Sequence, residues 1–187
     1  MKPLPIIDAA TLLPGDRFGL RPGMVAWLLP LAWAWAGWHQ WRGRRRGRPL
    51  SAAESALARA VAVQQVERVR VRQLPRMPVP GAWLWERLLG RQRVPWHGVQ
   101  AITLGHTILC LGAPPSPQLL AHELRHVQQC ERAGSLRAFL RLYLEQVAQH
   151  GYLAAPMEVD ARVAAAVVVE RAAVAQSVVA GRPHCRT

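Results

Sequence analysis

The chain predicts an α+β fold: a small, mostly antiparallel sheet, one helix carrying a histidine pair, two further helices, and an N-terminal hydrophobic membrane segment in front of them. Three observations lead there. Val99 to Leu104 and Thr107 to Leu111 are β-rich runs parted by Gly105-His106, the length of a tight hairpin turn, and Val69-Arg70-Val71-Arg72 alternates like a half-buried strand. From Ser116 onward, three stretches repeat at helical spacing and carry helix-end signals. Finally, Met24 to Trp38 is an uncharged, Trp-rich run followed by His39-Gln40-Trp41 and five arginines between Arg42 and Arg48.

Taken in order, residues 1–22 hold several prolines and no steady period, and read as a tail. Residues 23–41 read as a transmembrane or membrane-anchoring segment. Counted from Pro22 to Trp41, the run spans roughly 30 Å as a helix, just enough for a bilayer core. Trp38 and Trp41 would lie at headgroup level. The arginines of residues 42–49, a basic juxtamembrane linker, would meet anionic headgroups and keep the main domain in the cytoplasm, at the inner membrane. A shorter product beginning at Met24 would have the anchor and no tail.

Residues 50–187 form the main domain. Ser51 with Glu54 makes a capping box for a helix to about Val63, and Val69 to Arg72 is the first strand. Residues 73–98, rich in Pro, Gly and Trp, read as a long loop able to wall a cleft. After the hairpin, whose tip places His106 in solvent with no role, Ser116 caps a helix with Pro117 at its first position and Gly134 past its end. Leu136, Phe139, Leu140, Tyr143, Leu144 and Val147 mark a second helix, from about Ser135 to His150, whose apolar face is core packing. Pro156 opens a third that runs to about Ala180, and residues 181–187 are a short tail.

Charge and cysteines narrow the classes. The net charge is +13, yet Lys2 is the sole lysine and asparagine is absent, so the choice of arginine reflects a GC-rich composition more than function. The excess of base favours anionic partners. Because the densest arginine run abuts the apolar segment and no nucleic-acid module is visible, lipid is favoured over any specific nucleic acid. Cys110, Cys130 and Cys185 are odd in number and lack CxxC spacing, as expected of reduced thiols.

The chemistry lies in His122-Glu123-Leu124-Arg125-His126. Residues four apart share one helix face, so both imidazoles can reach one ion, while Glu123, rotated away, can take a proton from a water on that ion. Two histidines need a third ligand. Gln129 and Arg132 stand where a metzincin requires glycine and histidine, which excludes that class. A glutamate from a later helix is the other solution, and Glu158, in the first turn after Pro156, is the choice. Asp160 is an alternative ligand, or a partner hydrogen-bonding a ligating imidazole; Cys130, one turn past His126, ranks behind both. Tyr143, Tyr152 and His150 are within the range of groups that steady an oxyanion, but none is assigned that role.

Leu120-Ala121-His122-Glu123-Leu124-x-His126-Val127-x-Gln129, then Gly151-Tyr152 and Pro156-x-Glu158-x-Asp160-Ala161-Arg162, resembles the small bacterial zincin-like proteins related to minigluzincins, some of them found near contractile injection systems. Upstream, Glu54-x-x-Leu57-Ala58-Arg59, Val69-Arg70-Val71 and Ala101-Ile102-Thr103-Leu104-Gly105-x-x-Ile108 resemble the helix, strand and hairpin before the metal helix in that family. The likeness covers about residues 50 to 165. It implies a zincin-like fold and Zn2+ at His122, His126 and Glu158 with Glu123 as base; no biological role comes with it. The expectation is therefore a membrane-anchored, gluzincin-like zinc metallopeptidase acting on peptide or protein substrates, with the peptide laid along the Thr107 to Leu111 strand. The alternative is a non-catalytic, membrane-tethered interaction module of the same shape.

Overall fold

In a computed structural model, residues 22–78 and 99–180 are described. The tail before Pro22, most of the loop 73–98 and the C-terminal tail with Cys185 lie outside the described residues. Within them the fold is α+β, with five α-helices and a mixed four-stranded sheet. The elements are α1 (Pro22–Arg46), β1 (Arg48–Pro49), α2 (Ala52–Ala60), β2 (Arg70–Leu74), β3 (Ala101–Leu104), β4 (Thr107–Leu111), α3 (Pro117–Arg132), α4 (Leu136–His150) and α5 (Pro156–Ala180).

Short-range chemistry accounts for most boundaries. Ser51 and Glu54 complete the capping box in both directions, and the same carboxylate takes a two-pronged contact from Arg48 at 2.6 and 2.7 Å. Α2 stops short of the expected Val63 because Ala62 turns to φ +67°, which tucks Val61 and Val63 into the core. Ser116 accepts from Leu119 N at the head of α3, and Ser135 accepts from Ala138 N at the head of α4. Gly134, at φ +77°, makes the bend between those two helices.

The sheet runs β1-β2-β4-β3. Β4 pairs antiparallel with β3, as a hairpin must, with Gly105 at φ +62° in the turn. It also pairs with β2, and that pairing is parallel, so the sheet is mixed. Β4 is thus occupied on both edges, while β3 and the two-residue β1 are the edge strands among the described residues. This corrects the expectation that a peptide would lie along Thr107 to Leu111.

Alternation sends two apolar sets to opposite faces. Val71, Ala101, Ile108 and Cys110 pack with Ala58, Leu120, Leu124, Val127, Ala165 and Val168, beneath α2, α3 and α5. Leu104 and Leu109 pack with Leu29, Ala36, Phe139 and Leu140 under α1 and α4.

The largest departure from expectation concerns α1. No helix among the described residues is long and apolar enough to cross a membrane, which removes support for a bilayer-spanning segment at 23–41. Α1 is instead seated on the domain. Val25, Leu29 and Ala36 are buried, Thr107 Oγ1 donates to Gln40 O at 3.2 Å, and a Cβ at Gly43 would run into the Thr107 side chain. The basic run expected as a linker forms the last turns of this helix and then β1, which pairs antiparallel with β2 (Arg48 opposite Val71).

Candidate metal centre

Α3 supplies the first donors. Its apolar positions Leu120, Leu124 and Val127 bury one side, and this rotation turns His122, Glu123 and His126 toward a cavity of about 270 Å³. The cavity is bounded by β3 at Thr103, by α4 at Phe139 and Tyr143, by Glu158 of α5, and by Ala32 and Trp35 of α1. His122 and His126 stand one helical turn apart, with their Nε2 atoms 3.1 Å from each other.

Α5 brings Glu158 into this space. Ala161, Ala165 and Val168, all buried, set its rotation, and Glu158, two residues into the helix, is only 1% exposed. Its Oε1 lies 3.2 Å from His126 Nε2 and its Oε2 3.4 Å from His122 Nε2. The three side chains together offer donor atoms within 4.8 Å of one another, a group that could hold a metal ion.

The polar inventory of the cluster fits a cation. Tyr143 donates to Glu158 Oε1 at 2.8 Å. Oε2 is buried without a hydrogen-bond partner among the described residues; His122 at 3.4 Å and Arg162 at 3.8 Å are too far for good bonds. A buried carboxylate oxygen left in this way is costly unless something electropositive sits against it. The two imidazole nitrogens converge at 3.1 Å, where one N–H can donate to the other or both lone pairs can meet a cation.

Electrostatics follow from this crowding. Burial opposes ionisation of Glu158, but the close imidazoles of His122 and His126, with the Tyr143 hydrogen bond, outweigh it and hold the carboxyl well below the usual range. Burial likewise disfavours the His126 imidazolium, and the Glu158 hydrogen bond with the Glu123 and Glu158 charges reverses that, raising its pKa. Tyr143 and Tyr152 are pushed upward, first by burial and then by the Glu158 charge, so both phenols stay protonated donors.

Glu123 is 5% exposed and lines the same cavity without belonging to the donor cluster. Thr103 Oγ1, on β3, donates to its Oε2 at 2.6 Å and lies 3.0 Å from its backbone oxygen. This support joins the edge strand to the glutamate and was not anticipated.

The remaining candidates fall elsewhere. Asp160 accepts from Arg125 at 2.8 and 2.9 Å and from Gln129 Nε2 at 2.7 Å; Arg125 is the main reason its pKa is depressed. Gln129 in turn donates to Met157 O at 2.9 Å, and its Oε1 meets His126 Nδ1 at 2.8 Å. Asp160 thus acts on the imidazole through Gln129, a relay whose sole sequence signal is the three-residue step from His126. Cys130 is buried beside Phe139 and Leu140, its thiol raised to about 11 chiefly by burial, and it stands outside the cluster.

His150 is exposed and Tyr152 lines the cavity. His106 is not the solvated tip expected: its Nε2 lies 3.0 Å from Glu131 Oε1, and that carboxylate also accepts from Gln64 N and Gln65 N. It pins the hairpin to the end of α3. No family model matches this chain, and neither a curated protein nor a solved structure is significantly similar to it.

Proposed function

We propose that this protein is a zinc-dependent peptidase of gluzincin type, with Zn2+ held by His122, His126 and Glu158 and with Glu123 as general base. The observation that carries the reading is the convergence of two imidazoles with a buried glutamate whose Oε2 lacks a donor, beside a second glutamate held in the same cavity. Two neutral imidazoles and one carboxylate are a donor set suited to zinc. When bound there, zinc acidifies a water and polarises a carbonyl.

The chain's own groups do the rest. Glu123 accepts a proton from the attacking water and returns it to the leaving amine, a role worth about 10²–10⁴ in rate. Thr103 holds the Glu123 carboxylate toward the cavity. The open edge of β3 offers backbone donors and acceptors to an extended peptide, adding it as a further strand. Tyr143 steadies Glu158 through its 2.8 Å hydrogen bond.

The test pairs metal analysis with cleavage of an unfolded protein. Glu123→Gln is expected to abolish cleavage while leaving zinc in place, and Glu158→Ala to reduce zinc content sharply. Full activity of Glu123→Gln would reject the base assignment. Stoichiometric zinc with no cleavage of any unfolded substrate would favour the interaction module.

A further inference from the structure

Α1 has two apolar faces, and the domain uses one of them. Val25, Leu29 and Ala36 face inward. The outward row runs Trp27, Leu31, Trp38, Trp41, at 85%, 71%, 54% and 47% exposure, and continues one turn on to Arg45. These residues are three, four or, between Leu31 and Trp38, seven apart, and so form one stripe along a 25-residue helix. Four large exposed apolar side chains in a row exceed the scattering of single ones normal on a soluble surface.

Charge and ring geometry point to what covers the stripe. Trp38 and Trp41 stack with centroids 5.3 Å apart, and the Arg45 guanidinium sits 4.6 Å over the Trp41 ring. Gly37, Gln40, Trp41, Arg44 and Arg45 enclose a shallow hollow of about 450 Å³, with two arginines at its wall. Arg46 and Arg48 are exposed just beyond. Indole rings grading into arginines suit the boundary where acyl chains meet anionic headgroups, and the hollow's arginines suit a lipid phosphate. A second copy of the chain would cover the indoles but would also bring together two bodies of net charge +13.

We infer that α1 lies in the plane of an anionic membrane surface, with the stripe from Trp27 to Trp41 in the headgroup boundary and Arg44 and Arg45 on lipid phosphates. The seat is peripheral and one-sided, because the inner face stays on the domain. The cytoplasmic leaflet, which carries the anionic lipid, is the matching surface. Since Ala32 and Trp35 of the same helix line the metal-binding cavity, docking would set that cavity roughly one helix diameter, about 10 Å, from the headgroups.

The test uses the full chain with phosphatidylcholine vesicles, with and without phosphatidylserine. Co-sedimentation is expected with the anionic vesicles, accompanied by a blue shift of tryptophan emission and quenching by lipids brominated high on the acyl chain. Trp27→Ser with Leu31→Ser should weaken binding at least about tenfold. Arg44→Glu with Arg45→Glu should remove the preference for phosphatidylserine, since each arginine near the surface is worth roughly fivefold. All four side chains are exposed, so circular dichroism and zinc content should be unchanged; should the serine pair fail to fold, the arginine pair carries the same test. Equal binding to neutral vesicles, no vesicle binding, quenching only from the bilayer centre, or a solution dimer dissolved by the serine pair would each overturn the inference.

Discussion

Gln129→Leu tests whether the proposed metal centre is set by more than its donors. For His126 to offer Nε2 to a cation, its proton must sit on Nδ1, and Gln129 Oε1, 2.8 Å away, is the acceptor for that proton. His126 is 5% exposed, so a leucine at position 129 leaves the N–H buried and unpaired, at a cost of about 1–3 kcal/mol. Without metal the imidazole escapes that cost by moving its proton to Nε2, toward Glu158 Oε1 at 3.2 Å. The penalty therefore falls on the metal-bound state. At about 1.4 kcal/mol per decade, zinc affinity should drop roughly 10- to 100-fold.

A second variant separates this from general damage. Gln129→Glu keeps an acceptor for His126 but loses the bonds to Met157 O and Asp160, and sets two carboxylates together. It should melt lower than the parent yet bind zinc more tightly than Gln129→Leu. Affinity is read by competition with a chromogenic chelator, and stability by thermal melting of the metal-free chain. Parental zinc affinity in Gln129→Leu, or equal weakening in both variants, would refute the reasoning.

Other outcomes follow from the same coordinates. Thr103→Val, which removes the 2.6 Å bond to Glu123, should keep full zinc and lower turnover by roughly tenfold or more, with Thr103→Ser restoring most of it; equal rates in all three would exclude Thr103 as a positioning residue. Gly43→Val should cost about 1–3 kcal/mol, because the new side chain meets Thr107, and lower the melting temperature by roughly 2–10 °C; an unchanged melting point would mean that α1 is not seated on the hairpin. Glu54, held down to about 2 first by the Arg48 guanidinium, stabilises the fold above its unfolded pKa and loses that effect as pH falls through about 2. With the Arg48 side chain 43% exposed, solvent screening reduces the contribution to about 1 kcal/mol, so Glu54→Gln should be less stable than the parent at pH 7 and nearly equal to it at pH 2, as read by urea titration.

Much of the architecture was legible because it is local. The caps at Ser51, Ser116 and Ser135 and the four-residue step between His122 and His126 depend on neighbours within one helical turn. The hairpin at Gly105 is local in the same sense. The parallel pairing of β2 with β4 is not, since it joins Arg70 to Thr107 across a long connection that carries no signal of direction. The His106 contact with Glu131 likewise spans 25 residues.

Α1 resembles a spanning segment in sequence for a physical reason. Its inward positions are Val, Leu and small Ala and Gly, and its outward positions are largely Trp and Leu, so both faces are apolar and no polar side marks the domain. The apolar pattern of α1 therefore does not mark its seated face; burial of Val25, Leu29 and Ala36, the Thr107–Gln40 hydrogen bond and the fit of Gly43 against Thr107 do so.

The third donor shows the same division at closer range. Two acids, Glu158 and Asp160, stand in the first turn after Pro156, and spacing alone could nominate either. Residues two apart on a helix differ by about 200° in direction, so one had to face the histidines and the other away. Which one was settled by the packing of Ala161, Ala165 and Val168, which turns Glu158 inward and leaves Asp160 to Arg125 and Gln129. Local spacing made the candidate ligands available; burial of a small apolar face fixed the angle at which they arrive.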